Sequence, residues 1–303
     1  MSAALILILA ALLDATLGEP RLLWDRVPHP AVLMGRLIGW ADQKFNRGGA
    51  RKLRGSLVLL ALLILASTLG RLIEALPTRI PDILVLAALL AQKSLVDHVK
   101  AVAAGLRMSL SEGRRAVAMI VGRDTSGIDE AAVSRGAIES AAENLSDGVI
   151  APAFWFLIAG LPGLLAYKFV NTADSMIGYR TPRHEDFGWA AARFDDLINW
   201  IPARLSAALI AGAYFIPEAW AVIRRDAPLH RSPNAGWPEA AMAAVLGIAL
   251  SGPRSYEGET RDFPWVNPAG NRNPGPKDID AAVTTLWRAW ALGLALAAVF
   301  LFV

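Results

Sequence analysis

GVIAPAFWFLIAGLPGLLAYKFV, Gly148 to Val170, is the stretch that decides the fold. Its only charge is Lys168, near the end, and it is long enough to cross the roughly 30 Å hydrocarbon core of a bilayer as a helix. Pro162-Gly163 interrupts it, and at 1.5 Å per residue neither half crosses alone. The reading that fits is a re-entrant hairpin, tolerated where protein surrounds the broken backbone. Such a hairpin puts segments 122–147 and 171–199 on one side of the membrane. A single kinked span, the other reading, separates them.

The rest of the chain repeats the pattern of apolar blocks between charged stretches. Of 303 residues, 54% are apolar, above the 45–50% usual for soluble domains even when glycine is counted. Mean hydropathy is +0.40. Helices are expected over about 2–18, 55–76, from about 83, over about 126–145, 205–223, 238–250 and 284–303. Asp14 sits near the end of the first, where solvation accounts for it. That first block has no basic run before it and no small-residue cleavage pattern, so it reads as a retained helix, not a signal peptide. The loop 19–54 carries eight Lys/Arg against three acids, which by the positive-inside rule faces the cytoplasm. The fold class expected is all-α: a polytopic integral membrane protein with re-entrant or broken helices and cytoplasmic polar segments, forming one membrane-embedded domain over 1–303.

Composition also narrows the chemistry. The chain has no cysteine, which removes disulfides, thiolate catalysis and Cys-ligated metals. Its four histidines (His29, His98, His184, His230) are too dispersed to suggest zinc. A hard cation on carboxylates suits the inventory better. The net charge is +3, yet no basic run is interleaved with aromatics, so no nucleic-acid partner is expected.

Three polar segments can do chemistry. The first is Gly122-Arg-Asp-Thr-Ser-Gly127, which precedes a helix start marked by Ser126 and Asp129. Free N–H groups and the helix dipole favour an anion there, phosphate above all. Arg123, Asp124, Thr125, Ser126 and Gly127 are the candidate contacts, although an ordinary capped helix start is the better reading on spacing alone. The loop is not a Walker A, since Ile128-Asp129 replaces Lys-Ser/Thr. The second segment places Glu139, Glu143 and Asp147 every four residues on one helical flank beside Asn144. Such a flank is either solvated or able to chelate Mg²⁺, and its position just before the chain enters lipid favours the latter. The third is a polar stripe, Lys168, Asn171, Asp174, Ser175 and Gly178, followed by Arg180, Arg183, Arg193, Asp195, Asp196 and Asn199. Buried Asn, Asp and Lys at a membrane boundary need partners, and arginines clamp phosphate or carboxylate. Asp195-Asp196 alone is weak evidence for a metal. Carboxylates, arginines and amides together suit phosphate handling with Mg²⁺ better than covalent catalysis.

Several of these stretches resemble one family. Gly122-Arg-Asp-Thr-Ser-Gly, Ile138-Glu-Ser140 and Ala142-Glu-Asn-Leu-Ser-Asp-Gly148 are similar to the adenosylcobinamide-phosphate synthases, membrane proteins of cobalamin biosynthesis. So are Tyr167-Lys-Phe-Val-Asn-Thr-Ala-Asp-Ser-Met-Ile-Gly178, Asp186-Phe-Gly-Trp-Ala190, Asn199-Trp-Ile-Pro-Ala-Arg204, Ser232-Pro-Asn-Ala-Gly236 and Pro28-His-Pro30 with Gly35-Arg36. The resemblance runs in order along essentially the whole chain. It implies an ATP-dependent ligase of the inner membrane, its active face cytoplasmic. Such an enzyme joins adenosylcobyric acid, a corrinoid, to aminopropanol or its phosphate as an amide.

On that reading Arg123–Gly127 holds ATP phosphates. Glu139, Glu143, Asp147 and Asp174 hold Mg²⁺, with Asp174, Glu143 and Asp147 also the candidate catalytic groups. Asn144, Lys168, Asn171, Ser175, Arg180 and Arg183 are the candidate substrate contacts. Partners implied are the corrinoid, the amine, the lipid bilayer and other cobalamin-assembly enzymes. A non-catalytic scaffold holding corrinoid intermediates is the competing class. A lipid-linked phosphotransferase would need a repeated Asp-x₃-Asp pattern that the chain lacks, and a transporter would need polar residues deep in several spans.

Overall fold

A computed structural model describes residues 1–122, 124–256, 259–299 and 301. The chain begins with α1 (Ala3–Leu17), α2 (Arg21–Trp24), α3 (Pro30–Phe45), α4 (Arg51–Glu74) and α5 (Ile80–Leu89). It continues through α6 (Gln92–Met108), α7 (Leu110–Ala118), α8 (Glu130–Leu145), a π-helical turn at Ser146–Ile150, and α9 (Ala151–Ile177). Then follow α10 (Trp189–Ile198), α11 (Trp200–Gly212), α12 (Ala219–Asp226), α13 (Gly236–Leu246) and α14 (Pro276–Val299). Four short strands intervene before α14. Leu250–Ser251 pairs antiparallel with Trp265–Val266, and Arg254–Tyr256 with Glu259–Arg261. The helical class expected from the sequence is therefore observed.

Segments Arg51–Glu74, Glu130–Ile177 and Pro276–Val299 are long and apolar enough to cross a membrane. On α4 the residues Leu57, Leu60, Ile64 and Leu72 are exposed, a face that lipid can solvate at no hydrophobic cost.

The chain read from sequence as one membrane-embedded domain divides into two compact units. The first comprises Met1–Ala91, Ala151–Trp200 and Ala297–Val303; the second comprises Gln92–Ile150 and Ile201–Leu296. In the second, a core of Val99, Val102, Ile138, Leu145, Ile210, Ile223 and Leu286 is fully buried between helices.

In the first unit, α4 packs along α9, and α9 is broken. Ala159 (φ −138°, ψ 18°) and Gly160 (φ 64°, ψ −154°) leave the helical region. The break thus falls before Pro162-Gly163 rather than at it. The reason is local: proline fits the first turn of a helix, where its missing N–H is not needed, so the chain must turn ahead of it. A Cβ on Gly163 would lie 2.5 Å from the carbonyl oxygen of Trp155. In a continuous helix eight residues rise about 12 Å, so the chain bends sharply at Gly160, where positive φ suits glycine.

The break is held against the last turns of α4. Glu74 Oε1 accepts the Leu161 N–H at 2.8 Å, and a Cβ on Gly70 would meet Pro162 N at 2.4 Å. The part of α9 after the break, Leu161–Ile177, rises about 25 Å, nearly the thickness of the hydrocarbon core.

Other expected boundaries shift for nameable reasons. The helix expected from Ser126 starts at Glu130, with Asp129 as its N-cap. Asp124 Oδ1 has already taken the Ser126 N–H at 2.9 Å in a local turn. The span expected over 205–223 is two helices, α11 and α12, since the chain turns ahead of Pro217. The helix from about 83 is α5, starting at Ile80 and ending before an extended Leu90. The helix expected over 238–250 stops at Gly247 (φ 65°), and Leu250–Ser251 is strand. The last helix begins at Pro276 rather than 284, with Asp278 holding the Gly275 N–H at 2.7 Å.

Candidate active site

The polar stripe on the part of α9 after the break meets α10 within the first unit. Asn171 and Asp174 are half-buried there, one turn apart. A Cβ on Gly178 would fall 2.0 Å from Asp174 Oδ1, so glycine leaves room for that carboxylate. Ser175 Oγ turns back to the Asn171 carbonyl at 2.9 Å, the usual resting bond of a helical serine. Lys168 is half-buried on the same part of α9.

From α10, Asp195 and Asp196 complete the cluster. Asn199 Nδ2 donates to Asp195 Oδ2 at 2.9 Å, and Asn199 Oδ1 accepts from the hydroxyl of Tyr167 at 3.1 Å. Tyr167 and Asn199 are 1% and 2% exposed, so this chain of bonds is sealed from water and strong for that reason. Asp195 Oδ1 is buried and has no partner at ordinary hydrogen-bond geometry, with the Asn171 amide nearby. Burial, with the Asp174 charge next, pushes the Asp195 carboxyl up to about 7, against the pull of the Asn199 and Asn171 amides. Asp196 is also raised by burial, opposed by the Arg193 and Arg180 guanidiniums, with Arg193 Nη1 at 3.6 Å. The result is a carboxylate cluster with two cations at its edge.

Arg183 has a different place. Its Nη2 and Nε donate to Asp42 Oδ2 on α3 at 2.5 and 3.2 Å, and Asn46 Nδ2 donates to both Asp42 Oδ1 and the Arg183 carbonyl. Burial alone would raise Asp42; Arg183, Asn46 and His184 hold it below the usual carboxylate range instead. Arg51 Nη2 pairs with Asp186 at 3.2 Å. These bonds fasten the 178–188 loop, so Arg183 already has a structural task.

The second unit holds the other candidates, which differ in environment. Glu139 is 6% exposed and its Oε1 accepts the Ser251 N–H at 2.7 Å, which caps a strand end. Glu143 and Asn144 are exposed, and Asn144 Nδ2 donates to the Ser140 carbonyl at 2.9 Å. Asp147 lies in the π-helical turn, whose wider winding takes it out of the four-residue phase read from the sequence. Among the described residues, no three His, Asp or Glu side chains come close enough to hold a metal between them. A pair of carboxylates is what the fold offers. That suits Mg²⁺, which commonly takes one or two protein carboxylates and fills its shell with water and substrate phosphate.

In the 122–127 loop, Thr125 Oγ1 donates to the Arg114 carbonyl at 3.3 Å and Arg114 Nε to the Ile128 carbonyl at 2.7 Å. Hydrogen bonds from Ser126 lower the Asp124 carboxyl. Ser126 and Gly127 are exposed, and Arg123 lies outside the described residues. Tyr167 does not stand out in the sequence as a polar contributor. Its signal was its place four residues before Asn171, on the stripe that continues to Asp174. Asp195 and Asn199, four apart, carried the same i,i+4 signal.

A family model described as CobD/Cbib protein matches residues 7–286. The Cobalamin biosynthesis protein CobD of Rhizobium meliloti is 53% identical, with 94% of this chain and 93% of that protein covered. Its namesake in Brucella anthropi is 49% identical over 97% and 96%, and that of Rhodobacter capsulatus 46% over 96% and 95%. No solved structure matches. With nearly its full length aligned to such relatives and to the family model, the chain belongs to the CobD/Cbib family.

Proposed function

We propose that this protein is the ATP-dependent amide ligase of cobalamin biosynthesis, joining aminopropanol or its phosphate to the propionate carboxyl of adenosylcobyric acid. Family membership supports a place in the pathway. The observation that carries the chemistry is the Asp174–Asp195–Asp196 cluster with Arg180 and Arg193 at its edge.

In this reading a propionate oxygen attacks the terminal phosphorus of ATP and ADP leaves. The amine then attacks the acyl phosphate carbonyl, and inorganic phosphate leaves as the amide forms. The nitrogen must shed a proton as it bonds, and a carboxylate poised near neutrality is suited to take it. Arg180 and Arg193 offset negative charge on the phosphoryl or on an amine phosphate. Lys168, Asn171 and Ser175 supply the polar contacts to substrate. Asp174 with a neighbouring carboxylate would hold Mg²⁺, which when bound neutralises the triphosphate. Arg123–Gly127 is retained as the phosphate loop, and Glu143, Asn144 and Asp147 as candidate polar contacts on their own helix. The scaffold reading has no comparable use for a half-buried carboxylate cluster.

The test is an assay in membranes with ATP, adenosylcobyric acid and amine. Asp174→Ala is expected to lower turnover by at least 10²-fold, the scale of a lost catalytic group, and Glu143→Ala tests the catalytic role expected of that exposed residue from the sequence. Wild-type-like turnover in either removes that residue from the mechanism.

The reading also places the chemistry at the cytoplasmic face of the inner membrane. Arg51, Lys52 and Arg54 open α4 and the 19–54 loop is basic, which orients that end inward. The bend at Gly160 brings the end of α9 towards it: Gly188 packs on Ile177, and Phe187 on Gly55 near the start of α4. Single cysteines at Ser126 and Thr181 should therefore be modified from the same side. Opposite accessibilities would show that α9 does not form a hairpin within the bilayer.

A further inference from the structure

Between α4, the broken α9 and α10, all within the first unit, lies a cleft of about 650 Å³. It is lined by the large apolar side chains of Leu63, Trp155 and Phe194 and by the small residues Ala159, Gly163 and Ala166. Both charged groups that line it, Arg71 and Glu74, sit at one end, on the last turn of α4. The eleven residue steps from Leu63 to Glu74 rise about 16 Å, the depth of one leaflet of hydrocarbon. With α4 crossing a bilayer, the cleft would reach from the headgroup level of one leaflet into its hydrocarbon, beside a helix whose Leu60, Ile64 and Leu72 are exposed.

Arg71 and Glu74 lie three residues apart yet do not pair, and among the described residues neither has any ion-pair partner. Arg71 is exposed. One oxygen of Glu74 holds the Leu161 N–H at the break in α9; the second makes no hydrogen bond among the described residues. A separated cation and anion above an apolar slot of one-leaflet depth match a molecule with a phosphate, a primary ammonium and a hydrocarbon chain.

We propose that this cleft is a binding site for a phospholipid with a primary-amine headgroup. Arg71 binds the phosphate, Glu74 accepts from the ammonium, and one acyl chain fills the slot along Trp155 and Phe194. Tyr167 and Ile198 also line the cleft. Tyr167 is the residue whose hydroxyl orients Asn199 and so Asp195, so the chain packs against the outer support of the carboxylate cluster.

The test titrates the full-length protein in detergent with phosphatidylethanolamine, phosphatidylcholine and phosphatidylglycerol of identical chains, counting bound lipid by native mass spectrometry. One phosphatidylethanolamine per protein is expected, at least tenfold tighter than either other lipid. Phosphatidylcholine offers no N–H to Glu74, and phosphatidylglycerol no cation. Glu74→Gln keeps an acceptor for Leu161 N and should abolish the preference over phosphatidylcholine. Arg71→Leu, on an exposed position, should weaken phosphatidylethanolamine binding by about tenfold. Equal binding of the three lipids, or an unchanged preference in both variants, overturns the proposal. So does displacement of the lipid by aminopropanol phosphate, which carries the same two charges without a chain and would assign the cleft to the amine. The readout involves no turnover, so failure here is separate from failure of the ligase reading.

Discussion

Asp195→Asn is expected to cut amide formation by 10²–10⁴-fold, the range spanned by loss of a positioned general base. Asparagine keeps the size of the side chain, and its carbonyl can still accept from Asn199 Nδ2. What it removes is the proton acceptor. On the proposed mechanism native turnover should rise with pH through about 7, because Asp195 as the base must be ionised and its carboxyl is pushed up to about 7 by burial and by Asp174. In the variant that rising limb should vanish.

Stability moves the other way. A carboxyl whose folded pKa lies above its ordinary value of about 3.9 favours the folded state fully below that value, and the benefit is lost as pH rises through about 7. Above pH 7 the native protein carries a buried charge that the variant lacks. Asp195→Asn should therefore show an equal or higher Tm at pH 8 while its turnover collapses. A variant that loses stability and activity together would mark Asp195 as structural, and an unchanged pH profile would move the base elsewhere.

That pair of outcomes follows from geometry that the sequence carries only in part. The apolar blocks, the basic 19–54 loop and the break in 148–170 are local features, so they are readable from periodicity and from proline. Asp174 and Asn171 are legible for the same reason, as one stripe on one helix. The partners of that stripe are not. Asp195 and Asn199 lie some twenty residues downstream, and no spacing rule says that α10 folds back onto α9. Glu139 shows the opposite failure. It shares a flank with Glu143 in the sequence, but a strand end at Ser251, over a hundred residues away, takes its Oε1. Arg183 likewise reads as a free cation until Asp42, on α3, is found against it. Tertiary contact decides each of these cases, and amphipathic patterning contains no information about it.

The contact that brings α10 onto α9 makes the second large effect. Gly188→Ala is expected to remove most folded protein from the membrane, and what remains should be inactive. The backbone at Gly188 is ordinary helical (φ −81°, ψ −5°), so alanine carries no conformational penalty there. The objection is steric: an added Cβ would lie 1.6 Å from the Ile177 carbonyl oxygen and 2.5 Å from its carbon. These atoms are backbone at the end of α9, so relief requires one helix to move off the other. Overpacking costs about 1–3 kcal/mol even where side chains can yield, and here none is available to yield. The same loop meets a second close contact, where a Cβ on Gly55 would fall 1.9 Å from the Phe187 carbonyl oxygen. Two backbone-to-glycine contacts in adjacent residues leave the 178–188 loop no slack between α4 and α9. They therefore set how far Asp195 on α10 stands from Asp174 on α9. Gly49→Ala, at a position with nothing within 4 Å of the new methyl, is the control and should leave expression and turnover unchanged. Expression of Gly188→Ala at native levels with native turnover would mean that α9 and α10 approach less closely than described, and the carboxylate cluster would lose its physical basis.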